Sequence, residues 1–395
     1  MIDCEFDRRR FLQWTGASIF AAMSVQLSLE SLADAASAAP LADKTPILVL
    51  VTLYGGNDGL NTVVPFTDPH YHRARSNIAL SHSQLIPFTD SLAFNASMPS
   101  ISALYRRRKV AIVQGVSYPN PNLSHFASMA IWQSASLTGL TSGWIGRWLD
   151  KQPHNPFNAI GVGSTLPPAF VGDKTVASMV DVGGMQLPWG PVAAVLPRLG
   201  GPSSSDVTLE AAAATSITDL FSTARRIGPH IPRSPSGSGI GQQLSLVAAL
   251  INANVPTRVW EVNTSSFDTH TGEVGDQNTL LAQVDAAIGE FMEKISEAKH
   301  SHDVTIMVYS EFGRRVGSNA SDGTDHGTSA PVLLIGNRVK GGLYGEQPSL
   351  KHLDANGNLA VTTDFRSVYG GLLHDVLVTP VADIVPSWKH ALSVH

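Results

Sequence analysis

Val304 to Gly336 reads VTIMVYSEFGRRVGSNASDGTDHGTSAPVLLIG, two apolar, β-branched-rich runs separated by a polar loop. Runs of this kind suit strands buried on both faces, and the loop between them carries Glu311, Arg314, Arg315, Asp325 and His326. Strand ends of an α/β sheet are where such proteins usually present their chemistry. The same reading extends backwards. Thr45 to Tyr54 (TPILVLVTLY) is a second continuous apolar run, and it breaks at Gly55-Gly56-Asn57-Asp58-Gly59, which turns the chain and brings Asp58 to the strand's C-terminal edge.

Between and after these runs the pattern alternates. Met98 to Arg107 predicts a helix, Val110 to Gly115 a strand, Gly143 to Gln152 a short helix, and Phe157 to Gly163 a strand. From Gln242 a helix to Ala253 leads to a strand over Thr257 to Val262. A long helix follows in which Leu280, Leu281, Val284, Ile288, Phe291, Met292 and Ile295 share one face, and a last helix spans Asp364 to Val376. The repeated strand-helix alternation predicts an α/β protein with a mainly parallel central sheet, and the strands at Val304 and Ala330 complete a strand-helix-strand pattern. A Gly-, Pro- and Ser-rich excursion is expected around 164–241, its clearest linker being HIPRSPSGSGIG from His230 to Gly241.

Arg8-Arg9-Arg10-Phe11-Leu12, the moderately apolar run from Trp14 to Leu29 and Ala36-Ser37-Ala38 together read as a twin-arginine signal over residues 1–38, leaving 39–395 as a single domain. Export to the periplasm or beyond, through the twin-arginine translocation machinery, is the expectation. Nothing after that segment has transmembrane length, so the processed chain is not expected to be an integral membrane protein. Beyond the signal, the basic residues are scattered apart from Arg106 to Lys109, which leaves no basic face for nucleic acid. The one cysteine, Cys4, lies in the signal, so any metal must be held by carboxylate, imidazole or hydroxyl groups.

Polar groups close several elements: Asp58, Ser124 with His125, Asp268 with His270, and Glu311 with Asp325 and His326. Taken singly, each has a local explanation in a turn or cap. Ser124, just before an apolar helical pattern, suits an N-cap and equally a nucleophile placed where helix N–H groups stabilise an anion. Their recurrence at strand ends favours a divalent metal, zinc or manganese in type, with a hydroxyl beside it. The absence of a G-x-S-x-G elbow speaks against an α/β-hydrolase.

The stretches GGNDGLNTVVPF (Gly55 to Phe66), NPNLSHF (Asn120 to Phe126), GWIGRWLD (Gly143 to Asp150), FDTH (Phe267 to His270), SEFGRR (Ser310 to Arg315), GTDHG (Gly323 to Gly327) and KGGLYG (Lys340 to Gly345) resemble the bacterial family called domain of unknown function 1501. That family is similar in architecture to the alkaline phosphatase and sulfatase superfamily. The resemblance implies a three-layer α/β/α sandwich, alkaline-phosphatase-like, with metal ligands at Asp58, Asp268, His270, Glu311 and His326. It also implies a nucleophile at Ser124, with Arg314 or His125 steadying the equatorial oxygens of a phosphate or sulfate ester in a small molecule or polymer.

Two departures from the superfamily pattern stand out. Phe312 occupies the place of a histidine ligand, and the absence of a C-x-P-x-R motif excludes a formylglycine sulfatase. The alternative reading, favoured by Phe312, is a non-catalytic exported binding or assembly protein on the same fold.

Overall fold

The computed structural model describes residues 25–26, 38–138, 140–182 and 239–395. The signal segment expected over 1–38 lies almost wholly outside the described residues, as do 183–238 of the Gly-, Pro- and Ser-rich excursion.

Thirteen strands are described: β1 (Val25–Gln26), β2 (Ile47–Leu53), β3 (Val63–Val64), β4 (Leu85–Pro87), β5 (Ala93–Asn95), β6 (Val110–Ser117), β7 (Ala159–Val162), β8 (Ser178–Val180), β9 (Val259–Thr264), β10 (Val304–Tyr309), β11 (Ala330–Gly336), β12 (Gly342–Tyr344) and β13 (Thr363–Asp364). The main sheet runs in the order β1-β8-β7-β9-β2-β10-β11-β6-β12, with β13 also on β6. Strands β3, β5 and β4 form a small antiparallel sheet beside it.

Only β11 opposes its neighbours in the main sheet. It pairs antiparallel with β10 and with β6, and every other pairing is parallel. The two strands expected at Val304 and Ala330, joined by the polar loop, are present, but the parallel sense expected of them is corrected: β10 and β11 are adjacent and antiparallel. An apolar run has no direction written into it. The consequence favours a site, because both ends of that loop sit at one sheet edge, the C-terminal edge of the parallel strands.

Alternation along β2 divides the core between two faces. Val49 and Val51 pack with Ile101, Leu244, Val284, Ile288 and Phe291, from helices Pro99–Arg106, Gly239–Asn252 and Glu273–Lys294. Leu48 and Leu50 pack on the other side with Met129, Trp132, Trp144, Trp148, Val368 and Leu372, from helices His125–Ser134, Trp144–Leu149 and Phe365–Asp375. These are the three layers the sequence predicts. Residue 178, inside the stretch read as an excursion, begins β8 and extends the sheet. Among the described residues no helix is long and apolar enough to cross a membrane.

Candidate metal centre at the sheet edge

Strands β2, β6, β9 and β10 all end at the same edge, and the chain that follows each one feeds the site. After β2, Gly55 and Gly56 have φ of +120° and +77°, conformations that favour glycine. A Cβ on Gly55 would lie 2.5 Å from the backbone N of Asp268, and one on Gly56 would run into the Phe312 ring. The two glycines thus allow three loops to close on one another.

Arg314 joins those loops. Its guanidinium, 1% exposed, donates to the carbonyls of Gly55, Gly56, Phe267 and Thr324 and, at 2.7 Å, to Asp268 Oδ1. The expectation that Arg314 steadies substrate oxygens is corrected by this: its donors are committed to the fold. What it supplies is charge. Burial alone would raise the Asp268 carboxyl, but Arg314, His326 and His270 outweigh it and hold the group down at about 2.

Around Asp268 three histidines gather. Oδ1 lies 3.1 Å from His326 Nε2 and 3.0 Å from His270 Nε2, and Oδ2 lies 3.4 Å from His125 Nε2. The donor atoms of His125, Asp268 and His326 all fall within 4.8 Å of one another. His270 Nε2 is also 3.0 Å from His326 Nε2. The edges that run through Asp268, 3.0–3.4 Å, are close to the donor separations of about 3.3 Å that bonds of about 2.0–2.1 Å give in a tetrahedral site.

The rings are oriented from behind. His125 Nδ1 meets Glu311 Oε1 at 2.8 Å, and His326 Nδ1 meets the Leu123 carbonyl at 2.7 Å. An acceptor on Nδ1 places the proton there and leaves Nε2 with its lone pair facing the cluster. His125 Nε2 is buried and makes no hydrogen bond. Phe312, 1% exposed, forms the floor, its ring centroid 4.9 Å from His125 and 4.7 Å from His326. These residues fit a divalent cation: imidazole nitrogens with free lone pairs, an ionised carboxylate and a second layer that fixes both.

Two expected ligands are placed elsewhere. Asp58 is fully buried, and both its oxygens are taken by Arg75, at 2.5 and 2.9 Å. It holds Arg75, which in turn donates to the carbonyls of Arg315 and Val316. Glu311 accepts from Gly55 N, His125 Nδ1 and the Ser310 hydroxyl, so it orients a donor instead of being one. His125, expected to steady substrate, joins the donor set.

Ser124 is exposed, one residue before His125 and one after Leu123, at the N-cap of a ten-residue helix. Its hydroxyl makes no capping bond. The alternative open in the sequence, an ordinary N-cap, therefore lacks the bond that would define it. Sequence reasoning missed Leu123, whose carbonyl holds His326, and Arg75, whose only signal would have been its pairing with a distant aspartate.

Fold and site define an α/β protein with a mixed, mostly parallel sheet and a histidine-aspartate cluster at the strands' C-terminal edge. Within that class, residues 209–370 match the family described as "Protein of unknown function (DUF1501)". The motifs FDTH, SEFGRR, GTDHG and KGGLYG fall inside the match.

Several solved structures are similar over most of the chain. A protein in the alkaline phosphatase superfamily from Vibrio parahaemolyticus shares 11% identity, with 94% of this chain and 76% of that one covered and a TM-score of 0.41. The lipoteichoic acid synthase LtaP from Listeria monocytogenes shares 11%, with 91% and 80% covered and a TM-score of 0.39. Murine ectonucleotide pyrophosphatase/phosphodiesterase 5, an inactive form in complex with AMP, shares 8%, with 88% and 97% covered and a TM-score of 0.42. No curated protein matches the chain.

Proposed function

We propose that this chain is an exported, metal-dependent hydrolase of phosphate or sulfate esters, with Ser124 as its nucleophile. The observation that carries the reading is the buried Nε2 of His125, which makes no hydrogen bond and converges with Asp268 and His326 while Glu311 fixes its other nitrogen. His125, Asp268 and His326 would hold the ion, zinc or manganese in type, with His270 flanking it as a fourth donor. When bound there, a divalent ion would supply Lewis-acid polarisation of an ester oxygen.

The chain's own groups do the rest. The Ser124 hydroxyl attacks phosphorus or sulfur, the ester's alcohol leaves, and water then cleaves the bond to Ser124. First-turn N–H groups of helix His125–Ser134 face the charge that develops on the equatorial oxygens. Arg314, His326 and His270 keep Asp268 ionised through the cycle.

The test is metal analysis of the purified processed protein and assay on aryl phosphate, phosphodiester and sulfate esters. Ser124→Ala should lower turnover by about 10³-fold or more while keeping the metal. Metal-free protein inactive on every ester would overturn the reading. Stoichiometric metal with no turnover on any of them would instead favour the binding-protein alternative, which the Phe312 ring packed against both His125 and His326 already recommends. Export rests on the paired arginines: Arg8→Lys with Arg9→Lys should leave the chain in the cytoplasm on fractionation, and unchanged export would sink that part of the proposal.

A further inference from the structure

A second cleft opens on the far side of the polar loop, with a volume of about 510 Å³. Its lining includes His70, Arg73, Arg315, Asn319, Asp325 and Asn356. It adjoins the metal-binding cluster. Asp325 Oδ1 lies 3.6 Å from His270 Nδ1, and Asn319 Nδ2 donates to the His270 carbonyl at 2.9 Å.

The two arginines set its character. Elsewhere at this edge the guanidinium groups are committed, Arg75 to Asp58 and Arg314 to Asp268 and four carbonyls. Arg315 and Arg73 differ: neither side chain makes a hydrogen bond or ion pair among the described residues, and Arg315 Nε is buried without a hydrogen-bond partner. Yet the Arg315 backbone is fixed, its carbonyl accepting from Arg75 at 2.8 Å and its N–H donating to the Asp325 carbonyl at 3.0 Å. The side chain is thus held at the cleft wall with its donors unspent.

The acidic groups nearby are accounted for. Asp68 pairs with His70 at 3.0 Å, Asp325 faces His270, and Asp354 feels the charge of Arg315 but accepts from its own turn at Asn356 and Asn358. Two free guanidinium forks lining one cleft fit an oxyanion, which each can bind in a planar, two-point fashion.

We propose that the cleft between Arg73 and Arg315 binds a second oxyanion of the substrate. The molecules this site receives then carry a phosphate, sulfate or carboxylate group besides the ester presented to the His125–Asp268–His326 cluster. The substrate half of this inference rests on the hydrolase reading; the anion site itself does not.

The experiment has two arms. In the first, processed protein stripped of metal with EDTA is titrated with sulfate by calorimetry at low ionic strength, so that the cluster cannot supply the binding. Wild type should bind one sulfate, and Arg73→Ala with Arg315→Ala should weaken it by about tenfold or more with an unchanged thermal midpoint. No binding by wild type, or equal binding by the double variant, would overturn the proposal. A double variant that unfolds early would be replaced by Arg315→Lys, which keeps the charge but loses the fork and should bind more weakly than wild type.

In the second arm, kcat/KM on an aryl phosphate is compared with that on the same ester bearing a ring carboxylate. The double variant should lose about tenfold of wild-type preference for the carboxylated ester, and an unchanged ratio counts against the substrate assignment. Absence of turnover in wild type would defeat the hydrolase reading and leave the sulfate arm to decide the anion site.

Discussion

Asp58 and Glu311 occupy sequence positions that suit ligands, and at the scale of the residue both turn out to serve the ligands from a distance. Asp58 is the counter-charge of a buried arginine. Its carboxyl is held below the ordinary range because Arg75 and its hydrogen bonds outweigh burial, while neighbouring Glu273, raised to about 9 by burial and by Asp58, stays neutral. Asp58→Asn should therefore cost stability, about 3–5 kcal/mol as for a broken buried pair, and leave metal stoichiometry intact in the folded fraction. Glu311→Gln should do the reverse, weakening metal binding by about 10–100-fold with little change in unfolding midpoint. Paired denaturation and metal titration check both, and metal loss from the folded fraction of Asp58→Asn would restore the ligand role expected of Asp58 from sequence, while unchanged metal binding in Glu311→Gln would remove Glu311 from the site's support. Asp58 was misplaced for a physical reason. Its turn could be read from GGND, but the partner that turns the carboxylate away is Arg75, and only the folded chain brings the two together.

At the scale of the element, the polar loop after β10 is fixed by two arginines, Arg75 from one side and Arg314 from the other. Its register against the GGND turn depends on Gly55, whose φ of +120° and contact with the Phe267–Asp268 backbone leave no room for a side chain. Gly55→Ala should lower stability by about 1–3 kcal/mol from backbone strain and also weaken metal binding, because relief of the clash displaces Asp268. Urea unfolding and metal titration of the variant test this, and wild-type values in both would sink it. The apolar runs of β2, β6, β10 and β11 were legible because both faces of each strand are buried and the pattern is continuous. The direction of β11 was not legible, since hydrophobicity is the same read either way and direction is set by pairing with β10 and β6.

For the whole molecule, one buried acid outside the donor cluster sets a pH dependence. Glu261, in β9 and 2% exposed, is pushed up to about 8 by burial, against which hydrogen bonds from Asn263 and Thr52 act only in part. Its folded value lies above its usual 4.5, so its stabilising contribution is complete below about pH 4.5 and is lost as pH rises through about 8. The thermal midpoint should fall between pH 5 and pH 9 and fall less in Glu261→Gln, a comparison made by calorimetry across that range. An identical slope in the two proteins would show that Glu261 is not the group responsible.

The sequence by itself determined the α/β class, the buried strands, the apolar helix faces and the residues whose loops reach the sheet edge, because periodicity and turn chemistry are local. Asp268, His270 and His326 could be named from it, as could Ser124 and His125. Tertiary structure decided which of these face one another. Nε2 of His125 points at Asp268 because Glu311, 186 residues away, holds its other nitrogen. Arg314 and Asp58 are withdrawn into the fold by partners on other loops. Two arginines left without partners open a second cleft. Side-chain roles at such a site follow from who competes for each donor and acceptor, and that competition exists only once distant strands have been brought to a common edge.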